Sequence, residues 1–240
     1  MKPTTPTRAA TTDTTELENT MGSAVLTAPR LRWACALSAA AAAGAWWFGD
    51  KAPYPYAQRS LLDVPLPFLT SARLDAVLTP SPGERILEVG PGTGLQSLHI
   101  APQLGPRGQL DILDIQPEML RHVMHRAGQR AVTNIVPTHA DARELPFDDD
   151  TFDAMYLVTS LGEIPEPQRV LDEAVRVLTP AGRLVVGEFF DRHWIPFGPL
   201  HRLADASGLH LSTRSGSTLA YLARFQPCAR SQRSLRGPES

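Results

Sequence analysis

The chain has 240 residues and 42% hydrophobic content, enough for one domain with a real core and tails at its ends. A formal net charge of −2 leaves no surplus of positive charge for a polyanion, so nucleic acid is not an expected partner. Cys35 and Cys228 lie far apart and outside any metal-ligand spacing, which excludes a disulfide framework and a zinc site and makes a reducing, cytoplasmic setting the simplest reading.

Residues 1–29 are rich in Thr, Ala and Pro without apolar periodicity, and read as a disordered tail that cannot bury enough surface to offset its ordering entropy. From Trp33 to Gly49 the chain is apolar and uncharged. Three readings of residues 30–49 stay open. A spanning anchor would be marginally short. A signal peptide would use Arg30 and Arg32 as its basic flank. The third is a helix lying on the membrane surface or packed on the domain, anchored by Trp46, Trp47 and Phe48. Residues 50–79 form a proline-rich lead-in followed by a helix from Phe68 to Leu78, residues 80–227 the main domain, and residues 228–240 a polar, basic tail.

From Pro80 onward strands and helices alternate. Strands are expected at 85–89, 109–113, 134–138, 153–158, 183–189, 209–214 and 219–225, and helices at 95–104, 117–128, 166–178 and about 197–207. Alternation of this kind gives an α/β fold, a mostly parallel sheet with helices on both faces. Only Ser215-Gly216-Ser217 separates the last two strands, which should therefore form an antiparallel hairpin.

The chain is organised around Arg85-Ile-Leu-Glu-Val-Gly-Pro-Gly-Thr-Gly-Leu95, a short apolar strand entering a glycine turn and then a helix. Glycines here permit a left-handed backbone and let a ligand approach the main chain. A dinucleotide fingerprint would place its third glycine where Leu95 stands, whereas this chain has it one residue earlier, at Gly94. Glu88 would also set a negative charge beside a pyrophosphate. It suits a ligand with an amine and a cationic centre. Asp114, at the end of the second strand, can accept hydrogen bonds from both ribose hydroxyls, or cap the helix starting near Pro117.

The pattern Glu88-x-Gly90-Pro91-Gly92-Thr93-Gly94 closely resembles motif I of the class I S-adenosylmethionine (SAM)-dependent methyltransferases. Asp141-Ala142 followed by Leu145-Pro146-Phe147 resembles the family's D-A-x-x-L-P-F segment, Asp148 to Asp153 its D-x-x-F-D stretch, and Arg176-Val177-Leu178-Thr179-Pro180-Ala181-Gly182-Arg183-Leu184 its R-V-L-x-P-G-G-x-L segment. With four motifs in order, the chain looks like a member of the methyltransferase type 11 and quinone-biosynthesis-like group. The resemblance implies the seven-stranded, Rossmann-like methyltransferase fold, SAM as cofactor, and cofactor contacts from Glu88, Gly90, Pro91, Gly92, Thr93, Gly94, Asp114, Ile115, Asp141, Ala142 and Leu157. Within it, Asp141 faces the adenine amino group and the next backbone N–H a ring nitrogen. It assigns Asp153 and the Arg176–Val186 segment to the scaffold.

Related quinone-type enzymes carry Leu-His-His where this chain has Leu161-Gly162-Glu163, so no histidine base can be carried over. Glu163 is the candidate that could orient or deprotonate a methyl acceptor, or be a solvated loop acid. Glu188, Asp191 and His193 could line the acceptor pocket or serve ordinary loop roles, and His122 and His125 suit a solvated helix face. Tyr54, Tyr56 and Arg59 stand where the superfamily often places a lid. The apolar N-terminal segment, Phe68, and His193-Trp194-Ile195-Pro196-Phe197 suit a small hydrophobic, lipid-like or quinone-like acceptor, with membrane-surface contact through residues 31–49, and equally suit a packed helical cap. The rival readings are an NAD(P)-dependent oxidoreductase and a catalytically silent SAM-binding scaffold.

Overall fold

The computed structural model describes residues 56–57 and 69–228. The expected tail at 1–29, the apolar segment 30–49, most of the lead-in, Phe68, Tyr54 and Arg59, and all but Cys228 of the tail expected at 228–240 lie outside the described residues. No described helix is long and apolar enough to cross a membrane.

Seven strands form one sheet in the order β3-β2-β1-β4-β5-β7-β6. They are β1 (Arg85–Val89), β2 (Gln109–Asp114), β3 (Ile135–His139), β4 (Phe152–Val158), β5 (Leu178–Phe189), β6 (Leu209–Gly216) and β7 (Ala220–Pro227). The first five are parallel, while β7 runs antiparallel between β5 and β6, as the short Ser/Gly loop requires. Strand order reverses between β1 and β4, the switch point at which open α/β sheets hold ligands.

Alternating side chains divide the core between the two faces of the sheet. Ile86, Leu110, Ile112, Tyr156 and Val185 pack under α1 (Ser71–Leu78), α2 (Ser97–Ile100) and α3 (Pro117–Gln129). Leu87, Val89, Met155, Leu157 and Val186 pack under α4 (Pro167–Val177) and α5 (Phe197–Ala206). The sheet is thus covered on both sides, as a parallel sheet must be.

Three elements begin away from where the sequence reading puts them, the first being the helix expected from Phe68, which starts at Ser71 behind its cap Thr70. The helix expected over 95–104 begins only at Ser97 and passes into a 3₁₀ turn at Ala101–Leu104, where Pro102 contributes no backbone donor. The fifth strand begins at Leu178 rather than 183, because Leu178 pairs with Phe152 and the register then shifts, turning Thr179–Gly182 into a bulge. Asp153 fills its expected scaffold role. Its carboxylate accepts the Arg85 backbone N–H at 2.9 Å and so ties β4 to β1.

Candidate functional site

A cleft of about 560 Å³ opens at the carboxyl ends of β1, β2, β3 and β4. Its floor is the turn after β1. Gly90 has φ +70°, and a Cβ there would stand 2.5 Å from Ser160 Cβ. Ser160 in turn donates to the Val89 carbonyl at 2.8 Å, so the ends of β1 and β4 are laced together at this turn. Arg126 of α3 fixes the far side by donating to the Thr93 carbonyl at 2.8 Å. Thr159 also lines the cleft and has φ +58°, a strained conformation for a β-branched residue, held by its N–H bond to the Gly187 carbonyl at 2.7 Å.

Of the residues singled out in the sequence, Glu88, Gly90, Pro91, Gly92, Thr93, Asp114, Ile115, Asp141, Ala142 and Glu163 all line this cleft. Gly94 and Leu157 do not. Gly94, at φ +81°, is a packing glycine: a Cβ would lie 2.9 Å from Val123 Cγ1 of α3. Leu157 points into the core beneath α4 and α5, and its neighbour Val158 lines the cleft instead. Asp191 also lines the cleft, while Glu188 and His193 are buried behind it. Tyr56 packs edge-on against His122, with ring centroids 6.0 Å apart, and does not line the cleft. His122 and His125 belong to no metal-capable group, and none occurs among the described residues.

The acids are tuned in different directions. Burial raises Glu88 to about 7, against the stabilising Ser97 and Tyr156 hydroxyls and with a further push from Asp114. Asp114 is raised to about 6, again chiefly by burial, although the backbone N–H groups of Gln116 and Ile115 favour its anion. Its bond from Gln116 N, at 2.8 Å, turns the chain ahead of α3, whose N-cap is Gln116 without a side-chain cap bond; Asp114 is therefore not the cap, and its carboxylate faces the cleft. Asp141 is lowered by Arg143, which grips it at 2.7 Å and reaches Glu166 of the α4 entry at 3.0 Å. Arg143 is a cleft residue that the sequence reading missed.

The D-A-x-x-L-P-F segment is held by the scaffold motif. Glu173 accepts the Leu145 N–H at 2.7 Å, and Arg176 donates to the Leu145 and Phe147 carbonyls at 2.9 and 2.7 Å. Among the lining residues, Glu88, Asp114, Asp141, Glu163 and Asp191 face a single guanidinium, that of Arg143. Such a cleft favours a cationic ligand and opposes a pyrophosphate.

The sequence profile of the ubiE/COQ5 methyltransferase family matches residues 70–198, which is more than half of the chain. The chain belongs to the ubiE/COQ5 methyltransferase family. Among relatives of this family, the ubiquinone/menaquinone biosynthesis C-methyltransferase UbiE of Ruegeria sp. (strain TM1040) is 35% identical over 144 residues, covering 60% of this chain and 56% of that protein. The demethylmenaquinone methyltransferase of Clavibacter sepedonicus is 41% identical over 113 residues, covering 47% and 44%. The chain thus spans about half the length of the curated relatives it matches. A SAM-dependent methyltransferase from Aquifex aeolicus superposes with a TM-score of 0.66 at 17% identity, over 72% of this chain and 98% of that one, and confirms the Rossmann-like methyltransferase fold. In this chain the glycine turn lies at the switch point between β1 and β4.

The raised carboxyls give a stability prediction. Asp114 at about 6, Glu88 at about 7 and the buried Glu188 at about 8 all hold protons that the unfolded chain has released. The native state binds more protons between roughly pH 4.5 and 8, so unfolding free energy falls as pH rises through that window. Calorimetric melting is expected to give a higher Tm near pH 6 than near pH 8.5. Glu188→Gln should flatten the upper part of that slope.

Proposed function

We propose that this chain transfers a methyl group from SAM to a ring carbon of a quinone precursor. The observation that carries the reading is the acid-lined cleft around Gly90–Thr93 at the switch point, in a chain whose relatives are named as a ubiquinone/menaquinone biosynthesis C-methyltransferase and a demethylmenaquinone methyltransferase. Asp114 would accept the ribose hydroxyls, Asp141 and Ala142 would meet the adenine, and the glycine turn with Glu88 would take the amino-acid end. SAM supplies a methyl group on a sulfonium, already activated for transfer. What remains for the protein is to hold the acceptor in line, exclude water and accept a proton. Leu69, Ile164 and Phe189 offer apolar walls for a ring at the Glu163 end of the cleft.

Titration calorimetry with SAM and with NADH tests the cofactor, and transfer of labelled methyl to demethylmenaquinone tests the acceptor. Heat with SAM and none with NADH is expected. Asp114→Ala should weaken SAM by roughly 10- to 100-fold, the worth of one charge-assisted contact. In the unsubstituted protein, SAM affinity should rise with pH through about 6 as Asp114 ionises. Heat with NADH would restore the oxidoreductase reading, and SAM binding without turnover would favour the silent scaffold.

A further inference from the structure

Two loops meet behind the acceptor end of the cleft. One is the 3₁₀ turn Leu161–Glu163 after β4, the other the segment after β5 that carries Asp191, Arg192 and His193. They touch backbone to backbone: a Cβ on Gly162 would lie 1.8 Å from the His193 carbonyl oxygen. The second loop is pinned both to itself and to β5 and β7. Asp191 accepts the His193 N–H at 2.8 Å, Glu188 accepts the Ile195 N–H at 3.2 Å, and Tyr221 donates its hydroxyl to the Ile195 carbonyl at 2.6 Å.

Across this seam His193 Nδ1 lies 3.6 Å from Glu163 Oε1, with the imidazole side chain 1% exposed and the carboxylate 17%. The other ring nitrogen is fixed by Arg192, whose Nε is 3.1 Å from His193 Nε2. A guanidinium only donates, so Nε2 must present its lone pair. In a neutral ring the proton then sits on Nδ1, the atom that faces Glu163.

We propose that His193, locked by Arg192 in its Nδ1–H tautomer, positions Glu163 as the base that takes the acceptor's proton. The proposal rests on the methyl-transfer reading and deepens it. A hydroquinone-type O–H bond breaks, its electron pair stays on oxygen to enrich the ring, and the proton passes to the Glu163 carboxylate. The ring carbon that gains the methyl group then gives up its own proton, which restores the O–H and the aromatic ring. A neutral N–H donor aims the carboxylate without the loss of basicity that an imidazolium would impose. Two other acids lie at this seam: burial and its acidic neighbours hold Glu188 up to about 8, and burial raises Asp191 while the His193 N–H and the charge of the His193 ring act to lower it. The 3.6 Å separation is longer than a hydrogen bond, and catalytic contacts of this kind tighten when substrate binds.

The test combines histidine ¹⁵N NMR with pH-resolved kinetics on the full chain, using SAM and demethylmenaquinone. The wild-type spectrum should show the His193 proton on Nδ1 and the lone pair on Nε2. Glu163→Gln should lower kcat by roughly 100-fold or more and remove the acid limb of the kcat profile, with SAM affinity unchanged. His193→Asn, which can still donate to Glu163, should stay within roughly 3-fold of wild type, whereas His193→Leu should lose roughly 10-fold and move the acid limb upward. An Nε2–H tautomer, equal losses in the Asn and Leu variants, or full activity in Glu163→Gln would each overturn the proposal while wild-type turnover left the methyl-transfer reading standing. A wild-type protein that binds SAM and methylates no quinone precursor overturns that reading instead, and the NMR tautomer still decides whether His193 presents its proton to Glu163.

Discussion

Gly90→Ala is expected to reduce SAM affinity by roughly 100-fold or more and to lower Tm at the same time. Two costs combine. The backbone at φ +70° is a conformation that an alanine adopts only under strain, at about 1 kcal/mol or more. The new methyl would also stand 2.5 Å from Ser160 Cβ, an atom that cannot rotate away because it sits directly on the backbone. Relief requires the ends of β1 and β4 to part, breaking the Ser160 hydroxyl bond to Val89 and displacing the floor of the cleft. Together these effects reach about 3 kcal/mol, which is the two decades in affinity. Calorimetry with SAM, alongside a melting curve, checks both effects. Adding Ser160→Gly should recover part of the binding, since it removes the clash and leaves the φ strain. Unchanged affinity in the single variant would mean that SAM does not rest on this turn.

The sheet, the switch point and most of the cleft were legible in the sequence because each rests on a local signal. Apolar runs end in residues that tolerate special backbone angles, and the acids at 88, 114 and 141 follow directly at strand ends. The sequence is silent where two distant segments decide the outcome. β4 is apolar on both faces, so nothing in Ala154-Met-Tyr-Leu-Val158 tells which of Leu157 and Val158 looks into the cleft. Gly94 reads like its neighbours in the turn, yet its reason is the Val123 side chain arriving from α3. Arg143 occupies an x position of its motif, and its grip on Asp141 and Glu166 depends on the loop's path. The tautomer of His193 needs Arg192 on one side and a turn thirty residues earlier on the other. No spacing rule encodes that. One pattern was available and passed over: Glu173 and Arg176, at helical i,i+3 spacing, both serve the Leu145–Phe147 segment, so the two motifs form one clamp rather than separate scaffold pieces.

The largest loss of stability is expected from Arg183→Leu, at about 3–5 kcal/mol, a substantial part of the 5–15 kcal/mol that holds a typical domain folded. Arg183 is 6% exposed and joins three elements that meet below the sheet, opposite the cleft. Its Nη atoms donate to the Glu84 carboxylate at 2.8 and 2.7 Å, and it also donates to the carbonyls of Leu78 and Thr79 at the end of α1 and of Asp153 at the start of β4. Leucine fills the volume but leaves those carbonyls and a half-buried carboxylate without their donors. Lysine should rescue little, because a single ammonium cannot reproduce a planar fork serving four acceptors. Glu84 supplies the pH signature. Burial pushes its carboxyl up, but the Arg183 hydrogen bonds, the Ser81 N–H and the charges of Arg183 and Arg224 outweigh it and leave the group below its usual 4.5. Its contribution is therefore present above that value and lost as pH falls through the lowered one. In urea titrations the gap between wild type and Arg183→Leu should be widest near about pH 7 and narrow below about pH 4, as Glu84 protonates in both. Adding Glu84→Leu to the arginine variant should recover part of the loss, since the stranded carboxylate is then gone. A gap that stays constant through the acid range would show that the guanidinium stabilises the fold through the α1 carbonyls alone.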